Sequence, residues 1–315
     1  AQRIKNLSLF KAVWNAISGS NDTASLIEEF QYPRLGPGMM WEKCRDLVRE
    51  KGGDVQMRAP VVRVNRKGNR VTSVDVKRWS TDGAAPVEER IEGEEFINTM
   101  ALRDLILAMD PPPPPEVVEA ANKLKYRDFL IVTLVLDHAD PFKDNWIYIH
   151  SPKVKVGRIQ NFRAWSKEML PDQNTASIGM EYFCQEGDGL WEMKDEDLRT
   201  LAAKELEVLG LAKFKDVIGA AIIRQPKAYP VYDGEYREAL DVLEDWLLSL
   251  ENFQTVGRNG LHRYNNQDHS MLSAMYAARN ILGEKNDVWN VNVERSYHEE
   301  FEVKKDTPTP ALAAE

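Results

Sequence analysis

The chain has 315 residues, 43% hydrophobic and 29% charged, enough apolar material for one large or two medium domains and unlike a disordered or disulfide-stapled chain. With 50 acidic against 41 basic residues the net charge is −9, which excludes a general nucleic-acid or anionic-membrane surface but not a local cationic pocket. Cys44 and Cys184 are far apart without metal-ligand spacing, so both read as reduced thiols, and no metal site is expected.

The start, Ala1-Gln2-Arg3-Ile4-Lys5, has no secretory pattern, and no window approaches eighteen uninterrupted apolar residues. A cytoplasmic location with no membrane span is the expectation. An Ala-Gln start followed at once by the amphipathic run Leu7 to Ile17 suggests a chain that begins part-way through a larger protein. Leu26 to Tyr32 leads to the loop Pro33-Arg34-Leu35-Gly36-Pro37-Gly38, which stops regular structure. From Met39 to Lys51, Met40, Cys44, Leu47 and Val48 recur at helical spacing, and Gly52-Gly53 supplies the C-cap.

Between Asp54 and Met100 the pattern predicts strands at Val55–Met57, Val61–Val64, Val71–Val76, Val87–Ile91 and Glu95–Thr99. Leu102 to Met109 reads as a short helix, Pro111 to Pro115 as a rigid connection, and Glu116 to Lys125 as helix again. A mixed sheet is expected from Phe129 to Ala220 and beyond, with strands at Phe129–Leu136, Trp146–His150, Gly157–Phe162, Ala176–Phe183 and Val217–Arg224 and a helix from Asp195 to Leu209. Helices at Glu235–Leu250 and about Asp268–Leu282 follow, and Lys304 to Glu315 reads as a disordered tail.

The stretch from Val256 to Ser270, ahead of the small-residue helix starting at Met271, is the most informative. Gly257 and Gly260 permit close approach of backbone to a ligand, and the N–H groups opening the helix suit an anion or a flavin carbonyl. Arg258, Arg263 and Tyr264 are placed to hold phosphates. The competing explanation is a polar loop capped by Asn or Asp before an ordinary packed helix.

Gly257-Arg258, a short loop with Tyr264, then Asn266-Gln267-Asp268-His269-Ser270 before a helix resembles the C-terminal flavin motif of eukaryotic-type UDP-galactopyranose mutases and amine-oxidase-like FAD-dependent oxidoreductases. Tyr32-Pro33-Arg34, Val61 to Val64, Asn98 to Ala101 and Tyr229-Pro230 support the likeness. The fold so implied is α/β with mixed pairing: an incomplete Rossmann-like FAD-binding domain at 1–109, a mixed-sheet substrate domain at 110–226, a return to the first domain at 227–290, and a tail at 291–315.

The resemblance implies FAD as cofactor, with Gly257, Arg258, Gln267, Asp268, His269 and Ser270 against the flavin and Val62 meeting the adenosine half through its backbone. It implies a substrate diphosphate, as in a nucleotide sugar, held by Tyr264, Asn266, Arg258 and Arg158, with Tyr229 lining the pocket. The interval before Asn266 is shorter than the mutase pattern, and Asn259-Gly260-Leu261-His262 is less aromatic, so the substrate stays open. Three activities remain: flavin-dependent ring isomerisation of a nucleotide sugar, amine-oxidase-like hydride removal, or a non-catalytic fragment.

The family's Gly-x-Gly-x-x-Gly turn for the flavin pyrophosphate is not found in the chain: Gly36-Pro37-Gly38 lacks the third glycine and its proline lacks a donor. The expected partner is a separate or missing N-terminal segment carrying that turn, without which FAD binding should be weak. His262 and His269 read as positional rather than acid–base groups, the tryptophans as core or domain-contact residues, and the acidic run Glu192 to Asp197 as a solvated helix start.

Overall fold

The computed structural model describes residues 31–79 and 85–293. The expected helix over Leu7 to Ile17, most of Leu26 to Tyr32 and the tail from Lys304 lie outside them. In chain order the elements are α1 (Gly38–Glu50), β1 (Val61–Lys67), β2 (Arg70–Arg78), β3 (Val87–Glu92), β4 (Phe96–Asn98), α2 (Leu102–Ala108), β5 (Met109–Asp110) and α3 (Pro115–Lys123). Next come β6 (Lys125–Leu136), β7 (Trp146–Tyr148), β8 (Arg158–Asn161), β9 (Ala176–Cys184), α4 (Asp195–Val208) and β10 (Val217–Val231). The described chain closes with α5 (Tyr236–Leu248), β11 (Phe253–Thr255), a single helical turn at Gly257–Gly260, and α6 (Gln267–Ile281).

Most of these elements follow from local sequence. The α1 helix ends as its glycines require: Gly52 sits at φ +84°, and the Gly53 N–H reaches back 2.9 Å to the Val48 carbonyl. Gly68, at φ +61°, makes the tight turn between β1 and β2. No strand forms at 55–57, because Arg58 adopts φ +55° directly after Met57 and no neighbouring chain pairs with the run.

Two hydrophobic cores organise the molecule. The first gathers Val64, Leu105, Leu124, Leu243, Phe253 and Trp289 from the sheet β3-β2-β1-β5, the parallel pair β11-β4, and helices α2, α3 and α5. The helix after the prolines belongs to this core, burying Val117, Ala120 and Ala121 there. Asn252 bridges its two sheets, since the buried amide accepts the Val71 N–H at 2.9 Å and donates to the Val71 and Glu94 carbonyls.

The second core lies between α4 and the sheet β10-β6-β9-β8-β7. Leu130, Leu134, Met180 and Tyr182 alternate along β6 and β9 to face Leu198 and Leu206. Mixed pairing holds for the molecule as a whole, but within this sheet every pair is antiparallel, and the parallel pairs are β1 with β5 and β4 with β11. A buried Glu205 on α4 accepts from the Lys155 and Val156 N–H groups and from the Tyr182 hydroxyl, pinning the loop before β8.

The β6–β10 ribbon joins the two cores. Its register shifts between Gln225 and Tyr229, where Lys227 adopts φ +52° and donates its N–H to Asp128 at 2.6 Å. Pro226 falls inside this bulge, where a missing donor breaks no ladder bond. Beyond it, Tyr229–Val231 pairs with Lys125–Arg127 and enters the first core's territory, so β10 continues past the expected end at Arg224.

Candidate functional site

The site begins where β4 and β11 end. The Asn98 carbonyl accepts the Val256 N–H at 2.9 Å, and the Asn98 amide donates to the Thr255 hydroxyl, which donates on to the Gly260 carbonyl. This knot folds Gly257–Gly260 into one tight turn. Gly257 adopts φ +82°, and no atom lies within 4 Å of where a Cβ would stand. Gly260 is needed for another reason: its Cβ would come within 2.7 Å of Thr255 Oγ1.

Arg258 is held tightly. Its Nε donates to the Asn265 carbonyl at 2.8 Å and Nη1 to the Ala228 carbonyl at 3.0 Å, in the β10 bulge. The guanidinium lies 4.8 Å from the Tyr264 ring centre and 5.4 Å from that of Tyr229. The two tyrosines are 5.6 Å apart, and Tyr229 also touches Phe129 and Phe183 on the outer face of the second sheet. Burial raises the Tyr229 hydroxyl pKa, Tyr264 adds to the rise, and Arg158 and Arg258 oppose it.

Arg158 approaches Tyr229 from the antiparallel sheet. Its Nε donates to Glu181 Oε2 at 2.5 Å across the β8–β9 pair, and the Gln160 amide donates to the other carboxylate oxygen. Glu181 is fully buried. Trp146 and Tyr148 flank the guanidinium at 6.0 and 5.8 Å. Burial works against the Arg158 charge, but the Glu181 carboxylate outweighs it and raises the pKa.

The segment from Tyr264 to Ser270 bends around Arg258 and starts α6. The Tyr264 N–H donates to the Tyr232 hydroxyl at 2.6 Å, and the Asn292 amide holds the Tyr264 carbonyl and the Asn265 side chain. Asn266 is the N-cap residue, with extended backbone and no side-chain capping bond. Gln267 accepts from the Trp41 indole at 3.1 Å, Asp268 is exposed, and His269 Nδ1 lies 3.4 Å from the Asp268 carboxylate. The Ser270 carbonyl accepts from Ser273, whose hydroxyl in turn accepts the Gly257 N–H, tying the glycine turn to the helix.

The structure therefore brings together Arg258, Tyr229, Tyr264 and Arg158, with Asn266 to Ser270 at the adjoining helix start. Val62 stands on β1 at a register shift between Val61 and Arg63, with its side chain partly exposed. For FAD, the strain-tolerant Gly257 turn with open space beside it, the first-turn N–H groups of α6 and the irregular backbone at Val62 all fit. A glycine cradle for the pyrophosphate is not among the described residues.

His262 is a buried structural group. At φ +44° it turns its ring against Tyr126 at 5.0 Å and places Nε2 3.4 Å from the Val231 carbonyl, and burial pushes its pKa down to about 4. Trp41 and Trp146 are not core residues, being 44% and 48% exposed, whereas Trp289 is buried in the first core. Sequence reading missed Glu181, Gln160 and Ser273. Arg158 and Gln160 share a strand face by their spacing of two, but only the β8–β9 register brings them to Glu181.

No protein-family model matches the chain, and no curated protein matches it significantly. Solved structures do. A crystal structure of reduced UDP-galactopyranose mutase superposes with a TM-score of 0.71 at 16% identity, covering 93% of this chain and 62% of the mutase. Putrescine oxidase bound to putrescine gives 0.53 at 14% identity, covering 78% and 53% respectively. A candidate protoporphyrinogen oxidase from Exiguobacterium sp. 255-15 gives 0.52 at 14%, covering 71% and 46%. The chain thus spans less than two thirds of each of these structures, and over that span it has the α/β fold implied by its resemblance to the mutase and amine-oxidase-like flavoproteins.

Proposed function

We propose that the chain supplies the substrate domain and the later flavin-contacting segments of an FAD-dependent enzyme acting on a diphosphate such as a nucleotide sugar. The observation that carries this reading is the placing of Tyr229 beside both Arg158 and Arg258, next to the Gly257 turn. Two guanidinium groups around a phenol suit a diphosphate and repel an ammonium, so the cluster favours mutase-like over amine-oxidase-like chemistry. The better superposition on the mutase supports the same choice.

In this reading Gly257, Arg258 and Gln267 to Ser270 border the flavin ring, and Val62 meets the adenosine half through backbone groups. When bound, FAD supplies the nucleophilic or redox chemistry that no side chain here provides. Arg258, Arg158, Tyr264 and Asn266 hold the diphosphate, and Tyr229 and Phe183 wall the cleft against water. The pyrophosphate of FAD requires a strand–turn–helix segment with the Gly-x-Gly-x-x-Gly spacing. The pair β4–β11 has no further strand among the described residues, and Met40, Trp41, Leu47 and Val48 of α1 are exposed. Both features support docking of such a segment. No helix among the described residues is long and apolar enough to cross a membrane, and we place the enzyme in the cytoplasm.

The test is to gel-filter the chain with FAD, alone and with a segment of that spacing, and to titrate it with UDP by calorimetry. Flavin absorption bands that co-elute when the segment is added, together with UDP binding that weakens in Arg258→Ala and Tyr264→Phe, are expected. Absence of flavin bands in both mixtures would overturn the flavin assignment. Absence of UDP affinity would overturn the nucleotide-sugar assignment.

A further inference from the structure

We propose that Glu181 and Gln160 are positioning residues that hold the Arg158 guanidinium in place for an anionic substrate group. This inference rests on the reading of the cleft as a diphosphate site.

The two arginines are held differently. Arg258 gives Nε and Nη1 to the Asn265 and Ala228 carbonyls, so backbone alone fixes it, against the loop and the β10 bulge. The neighbouring rings of Tyr229 and Tyr264 add to that fixation. Arg158 is fixed instead by a side chain: its Nε donates to the Glu181 carboxylate, which leaves the terminal nitrogens facing away from that partner. An arginine fork presented by its terminal nitrogens matches phosphate or carboxylate geometry.

Glu181 explains why that fork is rigid. A fully buried carboxylate is costly unless each oxygen is paired, and here one oxygen takes Arg158 and the other takes Gln160. Gln160 therefore orients the carboxylate, and the carboxylate orients the guanidinium. The strand register enforces the arrangement, because Arg158 and Glu181 are directly opposed on β8 and β9. Trp146 and Tyr148 also flank the side chain, at 6.0 and 5.8 Å from the guanidinium carbon. The pair is asymmetric: the Arg158 side chain keeps 22% exposure while that of Glu181 has none, so the cation is the accessible member.

The experiment is calorimetric titration of the full chain with UDP, inorganic pyrophosphate and uridine, for the wild type, Glu181→Gln, Gln160→Met, Arg158→Gln and the double variant Glu181→Gln/Arg158→Gln. Loss of a charge-assisted contact predicts that Glu181→Gln weakens UDP and pyrophosphate by roughly 10- to 100-fold while uridine binding is unchanged. Gln160→Met should show the same pattern more weakly, and it keeps the test open should Glu181→Gln fail to fold. The double variant should bind no more weakly than Arg158→Gln alone, because one residue acts through the other.

Equal losses for UDP and uridine, or additive losses in the double variant, would overturn the positioning role and leave the diphosphate reading standing. Wild-type binding of pyrophosphate without UDP would support the clamp and overturn the nucleotide-sugar reading. Wild-type binding of neither would overturn both.

Discussion

The two cores solve the same problem of burying apolar surface in different ways. In the second, five strands pair antiparallel throughout one sheet, and α4 covers the face carrying Leu134 and Met180. In the first, β4 and β11 are three-residue strands that pair in parallel although far apart in the chain, and a buried asparagine ties them to the β1–β2 sheet. Antiparallel strands can be closed by local turns, whereas parallel pairing depends on crossovers and on neighbours covering both faces. The second core is self-contained, drawing on its own sheet, α4 and their loops, whereas the first relies on side-chain bridges such as Asn252. The candidate site lies along the β6–β10 ribbon that joins them, with Arg158 and Phe183 from the antiparallel sheet and Arg258 and Tyr264 from the loop between β11 and α6.

The comparison can be broken most forcefully in the second core. Leu134→Ala, at a site with no exposure, should cost about 2–5 kcal/mol in urea unfolding. A loss well under 1 kcal/mol would mean that this sheet is not the self-contained unit described. The first core has a different weak point. Asn252→Ala removes the partner of the Val71 N–H and carbonyl and one of the two donors to the Glu94 carbonyl, and should cost about 2–4 kcal/mol, with faster amide exchange in β2 and β4 than in β9.

A third test uses pH. The His262 ring is neutral in the folded protein because burial depresses its pKa to about 4, whereas in the unfolded chain it protonates near the usual 6.5. The unfolded state therefore binds the extra proton between these values, and stability should fall as pH drops from about 6.5 towards about 4, with no further loss from this group below that. The slope from one such group is at most about 1.4 kcal/mol per pH unit. His262→Gln should flatten that part of the stability profile, and an unchanged slope would reject the assignment. The smallest effect is expected at Gly257, where alanine meets open space but an unfavourable φ, costing about 1–2 kcal/mol. Its larger consequence should be on flavin retention, read from the same gel filtration.

Local signals carried much of this molecule. The glycine pair after α1, the tight turn at Gly68 and the alternation along β6 and β9 all report preferences that a residue and its near neighbours impose. The motif from Gly257 to Ser270 was legible because its glycines and helix start are consecutive in the chain. Where reading failed, the deciding partner was distant. The run at 55–57 looks like a strand but has no neighbour to pair with, and β10 runs past its expected end at Arg224 because the facing strand tolerates a bulge around Pro226.

The amino-acid sequence by itself determined most helices and strands and which loop carries the glycine and arginine residues of the candidate site, because periodicity and turn chemistry are local; the α/β class came through the resemblance those residues carry. Tertiary structure alone decided that Arg158 pairs with Glu181, that Arg258 spends its donors on two carbonyls, and that Tyr229 lies beside both arginines. Those facts depend on strand register and on a bulge, and register is fixed by the packing of whole sheets rather than by any residue's own preference.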